Sequence, residues 1–142
     1  MAVAMRSWGS FPTTADIGLW ARADSPSGLF EALGLGLTAL ATDLRKVRPR
    51  LERSVSAAAP DPEGLAVAFL TELLILQETE GFLPRALHVR TVGSPPTALL
   101  ATARGEAFDA ARHPSRMHVK AVTLHRLTLD LARGRARLIV DI

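Results

Sequence analysis

The last two residues of the chain, Asp141 and Ile142, have the types and spacing that most directly suggest chemistry. They close an alternating apolar stretch that predicts a β-strand, and a strand that runs to the last residue would hold the terminal α-carboxylate in place. Two carboxyl groups would then lie close together, as hard oxygen ligands of Ca²⁺ or Mg²⁺ do, and a third oxygen from elsewhere would complete a site. The alternative is an ordinary solvated terminus, which these two residues by themselves favour.

Patterns that often mark a catalytic or nucleotide-binding site are missing from the sequence. Gly34-Leu35-Gly36 lies in an apolar helical stretch and lacks both a third glycine and a preceding strand, so it indicates close packing. No serine lies in a nucleophile elbow. The histidines do not fall at metal-ligand spacing on one helix: His88, His113, His118 and His125. We therefore predict no catalytic residues.

The composition predicts one globular domain over residues 1–142, since 142 residues with 48% hydrophobic content can bury a substantial core. The absence of cysteine excludes disulfides and thiolate metal sites and is compatible with a reducing cytoplasm. The first residues do not form a secretory signal, and the longest apolar run, Leu65 to Leu76, is interrupted by Thr71 and Glu72. We expect a cytoplasmic protein without membrane contact.

The charge balance gives limited support for a nucleic-acid partner. The 17 basic and 14 acidic residues leave a net charge of +3, and the basic clusters at Arg45–Arg50 and Arg133–Arg137 are short. A solvated face is the more common role of such clusters. Direct RNA binding through the arginines remains an alternative.

Two helices are predicted. The first begins after Asp24-Ser25-Pro26 and ends before Pro49, with apolar residues on one face: Leu33, Leu37, Leu40, Leu44 and Val47. The second spans Pro62 to about Glu78 between a capping Asp61 and the terminating Gly81. Because apolar residues occur nearly all around the second helix, we expect it to be the central helix of the core.

Strand patterns fill most of the remaining chain. The clearest are Arg126–Leu131, an alternation with its leucines toward the core, and Arg135–Ile142, which returns after a turn at Arg133-Gly134 and directs Asp141 away from the Val140 face. Weaker strands are Ile17–Ala23, Leu51–Ala58, Ala86–Val92, Thr97–Arg104 and His118–Leu124. The predicted fold class is α+β, with two helices packed on a largely antiparallel sheet.

Five segments in a fixed order resemble the archease family over almost the whole chain. They are Thr14–Gly18, Glu78–Phe82, Arg104–Asp109 with Arg112-His113, Val119–His125 and Ile139–Ile142. Each segment alone is a weak signal, and the ordered set is a strong one.

The resemblance implies an accessory protein of the GTP- and manganese-dependent RNA ligase that joins tRNA exons. The helper would promote transfer of GMP onto the ligase, so that the ligase turns over repeatedly. The resemblance also implies a divalent cation, Ca²⁺ or Mg²⁺/Mn²⁺, held by Asp16, Asp141 and the carboxylate of Ile142. The segment that supplies Asp16 would thus provide the third oxygen.

Three further residues are candidates for the partner-facing or metal-adjacent surface. Asp43, expected at the end of the first helix, could add an acidic group, although a solvated helix-end residue is an equal alternative. Lys120 and His125 could contact the ligase or its nucleotide, or be an ordinary surface lysine and turn histidine. Glu106 and Asp109 are expected to shape a loop.

The sequence departs from the family pattern at three positions. Thr13 stands where the family usually has His, Leu124 where it has Tyr, and Arg126 where Gly is common. We hypothesise a metal-dependent ligase activator that contacts tRNA only indirectly. The alternatives are a metal-dependent phosphodiester hydrolase and a direct RNA-binding module.

Overall fold

The computed structural model describes residues 5–142. Its elements in chain order are β1 Arg6–Pro12, β2 Ile17–Ala23, α1 Pro26–Ala41, a 3₁₀ turn Leu44–Lys46, β3 Leu51–Ala58, α2 Pro62–Glu80, β4 Phe82–Val92, β5 Ala98–Ala107, β6 Ala121–Val122, β7 Thr128–Asp130 and β8 Arg135–Asp141. All strand pairs are antiparallel. The predicted α+β class is confirmed.

The strands form two sheets rather than one. The first sheet has the order β1-β2-β8-β6, with β7 also paired to β8, and the second has the order β3-β5-β4. Because β6 pairs with the last residues of β8 and β7 with the first, these two short strands together form one edge of the first sheet. The middle strands β2 and β8 are thereby enclosed on both sides.

Helix α1, and not α2, is the central helix, which corrects the sequence-based expectation. A Cβ added at Gly34 would lie 2.4 Å from a methyl of Leu87 on β4, and one at Gly36 would lie 2.8 Å from a methyl of Leu19 on β2. The two glycines therefore allow α1 to approach both sheets closely, as the packing interpretation predicted. Helix α2 is buried along one side only and leaves Ile75 46% exposed.

Helix α1 is shorter than predicted because Thr42 adopts an extended conformation at its C-terminus. The Asp43 side chain then accepts the Arg45 N–H and begins the 3₁₀ turn, so Asp43 lies beyond the helix instead of at its end. Leu44 and Val47 still pack inward after the break.

The predicted strand His118–Leu124 is reduced to β6, two residues long. The chain just before it hydrogen-bonds to a helix instead of a strand: Arg116 and Met117 donate their N–H groups to the carbonyls of Ala41 and Leu40. Those carbonyls lie at the end of α1, where no intrahelical donor follows.

Candidate metal centre

Asp16 and Asp141 flank the end of the central strand pair of the first sheet. The β2–β8 ladder reaches Ile17 opposite Val140, and the next residues outward are Asp16 on one strand and Asp141 on the other. Because side chains alternate along a strand, Asp141 lies on the face opposite to Val140, as predicted. The strand register therefore brings together the two ends of the chain that carry the predicted metal ligands.

The turn before Asp16 is held by a neighbouring hydroxyl. The Thr13 side chain donates to the Asp16 carbonyl oxygen over 2.8 Å and accepts the Asp16 N–H over 3.1 Å. These bonds fix the backbone of Asp16 and leave its carboxylate uninvolved. Thr13 thus has a structural role at the position where the family usually has His.

The carboxylates of Asp16, Asp141 and Ile142 make no hydrogen bond or salt bridge with any of the residues 5–142. Both aspartates are half-buried, and Ile142 is 45% exposed. Neighbouring carboxylates without donors repel one another, and a divalent cation relieves that repulsion. The donor set therefore fits a hard cation.

The buried carboxylate of Asp43 is paired with arginine side chains. One of its oxygens accepts from the Arg45 Nε at 3.1 Å, the other accepts from the Arg45 Nη2 at 3.0 Å, and Arg116 lies 4.0 Å away. The hydrogen bond from Arg45 lowers the pKa of Asp43 to about 2. Within residues 5–142 no three His, Cys, Asp or Glu side chains are grouped to hold a metal, so Asp43 does not join Asp16 and Asp141.

Lys120 and His125 lie along the same end of the first sheet. The Lys120 N–H donates to the Asp141 carbonyl over 2.7 Å, and its side chain is exposed. His125 is exposed in the turn closed by the Leu127 N–H on the Leu124 carbonyl. Lys120 is therefore a direct neighbour of Asp141, while His125 lies in the connection to β7.

Glu106 is the centre of a buried network that holds the loop after β5. Its Oε1 accepts from the Arg48 N–H at 3.1 Å, from Arg112 Nη2 at 2.5 Å and from His113 Nε2 at 2.8 Å. His113 Nδ1 in turn accepts the Asp109 N–H at 2.8 Å, which leaves Nε2 as the protonated nitrogen that donates to Glu106. The expectation that Glu106 and Asp109 shape a loop is confirmed.

The hydrogen-bond donors around Glu106 keep its carboxylate ionised. Burial alone raises the pKa of this carboxyl, but the hydrogen bonds from Arg112, the Arg48 N–H and His113, together with the Arg112 charge, outweigh burial and lower the pKa to about 2. The bonds to Oε1 join Glu106 to the Arg48 backbone and to the Arg112 and His113 side chains, and so connect β5 to two loops. This network is a structural site, distinct from the carboxylates at the end of β2 and β8.

Comparison with known proteins identifies the group to which this arrangement belongs. A profile of the archease protein family matches residues 8–142. The chain belongs to the archease family. The archease of Thermococcus gammatolerans is 38% identical over 133 residues, covering 92% of this chain and 94% of that protein. The archease of Pyrococcus furiosus is 34% identical over 142 residues, covering 97% of this chain and 100% of that protein.

A solved structure from the same family has the same fold. The solution structure of Methanobacterium thermoautotrophicum protein 1598 superposes with a TM-score of 0.73 at 28% identity, covering 95% of this chain and 98% of that chain. Among residues 5–142 of this archease-family protein, no helix is long and apolar enough to span a membrane.

One departure from the archease pattern has a clear backbone consequence. Arg126, at the position where glycine is common in the family, has a φ of 58°, in the left-handed region that side chains disfavour. It is the one such non-glycine residue in the described range 5–142. This archease-family chain therefore keeps the turn while adding a cation next to β7.

Sequence reasoning missed one group of surface residues near this site. Phe11, Trp20, Arg22 and Arg137 lie on the solvent side of the first sheet, and both arginines contact aromatic rings. Strand β1, which supplies Phe11, was not predicted. The signal that could have found the group is the alternation in Gly18-Leu19-Trp20-Ala21-Arg22, which places Trp20 and Arg22 on the face opposite to the core.

Proposed function

We propose that this archease-family protein is a metal-binding accessory protein that activates the GTP-dependent RNA ligase of tRNA splicing or RNA repair in the cytoplasm. It promotes guanylylation of the ligase and thereby its multiple turnover. The observation that carries the proposal is the pair of uncommitted aspartates at the paired ends of β2 and β8. Membership in the archease family supports the choice of partner.

The proposed cation ligands are the carboxylates of Asp16, Asp141 and Ile142, with Ca²⁺, Mg²⁺ or Mn²⁺ as the ion. A bound cation supplies positive charge and free coordination positions at this edge. The chain contributes a rigid pair of strand ends, since Thr13 fixes the Asp16 backbone and Lys120 fixes the Asp141 carbonyl. The edge is thus preorganised to contact another molecule.

The proposed mechanism is positioning of the ligase rather than chemistry by this chain. A catalytic role would require a general acid or base beside the carboxylates. His113 is 1% exposed and hydrogen-bonds to Glu106, so it does not supply such a group at the carboxylates. We therefore assign the reaction to the ligase and assign Lys120 and His125 to the surface that contacts it.

A ligation assay with many RNA substrates per ligase tests the proposal. The chain carries the same short peptide either before residue 1 or after Ile142, so that only the second version lacks a free carboxylate at Ile142. We expect the first version to give several ligated products and much ligase–GMP adduct per ligase. We expect the second version to leave the ligase near a single turnover.

Side-chain variants make the assay specific. Asp16→Asn and Asp141→Asn should abolish stimulation, whereas Asp130→Asn, an exposed aspartate on β7 of the same sheet, should retain it. Equal stimulation by both tagged versions contradicts the terminal ligand. Phosphodiester hydrolysis by the isolated chain, lost in Asp16→Asn, contradicts the accessory assignment and favours a hydrolase.

A further inference from the structure

The solvent side of the first sheet carries aromatic and arginine side chains in register. Residues directly opposite each other on paired strands share a face. Three rows of this kind cross the solvent side. The middle row is Gly9, Trp20, Arg137 and Thr128. The row nearer the metal centre is Phe11, Gly18 and Ile139, and the row farther from it is Ser7, Arg22, Arg135 and Asp130. We name Phe11, Trp20, Arg22, Thr128, Arg135 and Arg137 the basic-aromatic face.

Glycines under the two rings hold them close to the sheet. A Cβ at Gly9 would lie 2.6 Å from atoms of the Trp20 ring, and a Cβ at Gly18 would lie 2.1 Å from atoms of the Phe11 ring. Each ring therefore lies across a glycine of the neighbouring strand, and both residues remain half-buried instead of buried. The side of each ring that faces away from the glycine carries an arginine side chain, Arg137 over Phe11 and Arg22 over Trp20, so each ring supports a guanidinium plane.

Two guanidinium groups are held by these rings. The Arg137 Cζ lies 4.3 Å from the centroid of Phe11, and the Arg22 Cζ lies 5.6 Å from the centroid of Trp20. Such cation–π contacts restrict the side chains while leaving their N–H groups free. The donors are therefore partly ordered before any ligand arrives.

The positive charge of the face is not neutralised by the protein. Arg22, Arg135 and Arg137 form no salt bridge with any residue in the part of the chain that the structure describes, 5–142. Seven other arginines of the same chain do: Arg6, Arg45, Arg53, Arg104, Arg112, Arg116 and Arg133. A shallow cavity of about 490 Å³ opens beside Arg22 and Arg135.

We propose that the basic-aromatic face binds a short segment of single-stranded RNA. Guanidinium groups without salt bridges recognise phosphates, and a guanidinium plane supported by an aromatic ring stacks on an unpaired base. The Thr128 hydroxyl adds a donor and an acceptor in the same row. An acidic protein surface would pair with the arginine charges but would offer no planar group to stack on the ring-supported guanidinium planes, so the combination favours RNA.

The RNA lies toward the Arg22 and Arg135 end of the face. The other end leads to Asp16 and Asp141, whose carboxylates repel phosphates. The inference goes beyond ligase activation, because the chain would contact RNA by itself. The two proposals therefore fail independently: Asp16→Asn should impair ligase stimulation and leave RNA binding intact.

The test is fluorescence anisotropy of a short labelled single-stranded RNA with the full chain and no ligase. We expect binding that weakens as the KCl concentration rises. The logarithm of the association constant should fall with the logarithm of the KCl concentration, with a slope of about 0.7 per phosphate contacted. The variant Arg22→Ala/Arg135→Ala/Arg137→Ala should bind the RNA at least about tenfold more weakly. The magnitude of its salt-dependence slope should be smaller by roughly 2, because three phosphate contacts disappear. Thermal unfolding should show that it remains folded.

A matched control removes the same charge elsewhere. Lys46, Arg50 and Arg90 are exposed and likewise lack salt bridges within residues 5–142. The variant Lys46→Ala/Arg50→Ala/Arg90→Ala should retain affinity within about twofold, because these side chains lie off the face. Equal weakening by both variants would show an effect of net charge and would overturn the proposal.

Tryptophan fluorescence reports on the ring itself. The chain has two tryptophans, and Trp8 lies on the core side of β1, so Trp8→Phe leaves Trp20 as the sole emitter. Saturating RNA should quench this emission through stacking. Unquenched emission overturns the stacking geometry. If the triple arginine variant binds RNA as tightly as the wild-type chain but no longer binds the ligase, the proposal is overturned. The face is then a surface that docks a protein.

Discussion

The carboxylate of Glu106 and the carboxylates of Asp16 and Asp141 have opposite surroundings in one small domain. Glu106 is 6% exposed and accepts hydrogen bonds from three protein groups. Asp16 and Asp141 are half-buried, and their carboxylates accept no hydrogen bond within the described residues, 5–142. The fold thus neutralises one acidic site and leaves the other available.

The difference separates a structural carboxylate from one that can serve a ligand. A deeply buried charge requires internal donors, because its desolvation is otherwise too costly. A carboxylate at a strand end keeps contact with water and can remain ionised without donors. Such a group can exchange water for a cation, whereas Glu106 would first have to release Arg112 and His113.

The largest expected effect comes from removing the structural carboxylate. Glu106→Ala should lower the free energy of unfolding by about 3–5 kcal/mol, because the buried donors of Arg112 and His113 lose their acceptor. Urea unfolding followed by circular dichroism measures the change. Glu80→Ala, which breaks an exposed salt bridge to Arg53, is the control and should cost less than about 1 kcal/mol.

In the absence of metal, Asp16→Ala should lower the free energy of unfolding far less than Glu106→Ala does. An equal loss in the two variants would contradict the distinction between the two kinds of carboxylate. That result would mean that Asp16 has a structural acceptor role that its hydrogen bonds do not reveal. A small effect of Asp16→Ala, together with a large one of Glu106→Ala, sharpens the distinction.

A cation should stabilise the chain through the available carboxylates. At a free Ca²⁺ concentration about 100 times its dissociation constant, the folded state gains about 2.7 kcal/mol. For a domain of this size the Tm should rise by roughly 5–10 °C, and EDTA should reverse it. Differential scanning fluorimetry measures both shifts.

The same measurement has a matched set of variants. Asp141→Asn and a peptide extension after Ile142 should each remove most of the Ca²⁺-dependent rise, while Asp130→Asn should retain it. An unchanged rise in the extended chain would exclude the carboxylate of Ile142 as a ligand. Mg²⁺ and Mn²⁺ titrations of the same proteins then rank the ions.

The elements with local signals were predicted well from the sequence. Helix α2 begins after an Asp61 cap that accepts the Gly64 N–H and ends at Gly81 with a φ of 66°, as its residues indicated. Strands β2 and β3 have the predicted bounds. Capping and alternation are properties of neighbouring residues, so one sequence is enough to read them.

The errors arise where the outcome depends on distant residues. Strand β1 was missed because Trp8 and Phe11 are three residues apart and face opposite sides of the sheet, so no apolar alternation appears. The ranking of the two helices was wrong because apolar content does not reveal which helix is buried more completely between the two sheets. Gly34 and Gly36 held the clue, since close approach requires them.

The candidate site was predicted only in part for the same reason. The carboxylates at the end of the chain could be recognised from residue type, but their pairing with the first strands depends on the β2–β8 register. The Glu106 network joins residues up to 58 positions apart, and no local pattern links Arg48 to Glu106. Asp43 was misplaced because its Arg45 contact follows from the early end of α1.

The most gradual expected effect is the pH dependence that the structural carboxylate produces. The pKa of Glu106 is lowered from 4.5 to about 2, so below pH 4.5 the unfolded chain takes up a proton that the folded chain does not. Its stabilising contribution is therefore complete above pH 4.5 and is lost progressively toward pH 2, at up to about 1.4 kcal/mol per pH unit. Asp43, whose pKa Arg45 lowers to about 2, adds a change in the same direction. Urea midpoints between pH 5 and pH 2 should fall more steeply for the wild-type chain than for Glu106→Ala, whereas parallel curves would mean that Glu106 is not held ionised by its donors.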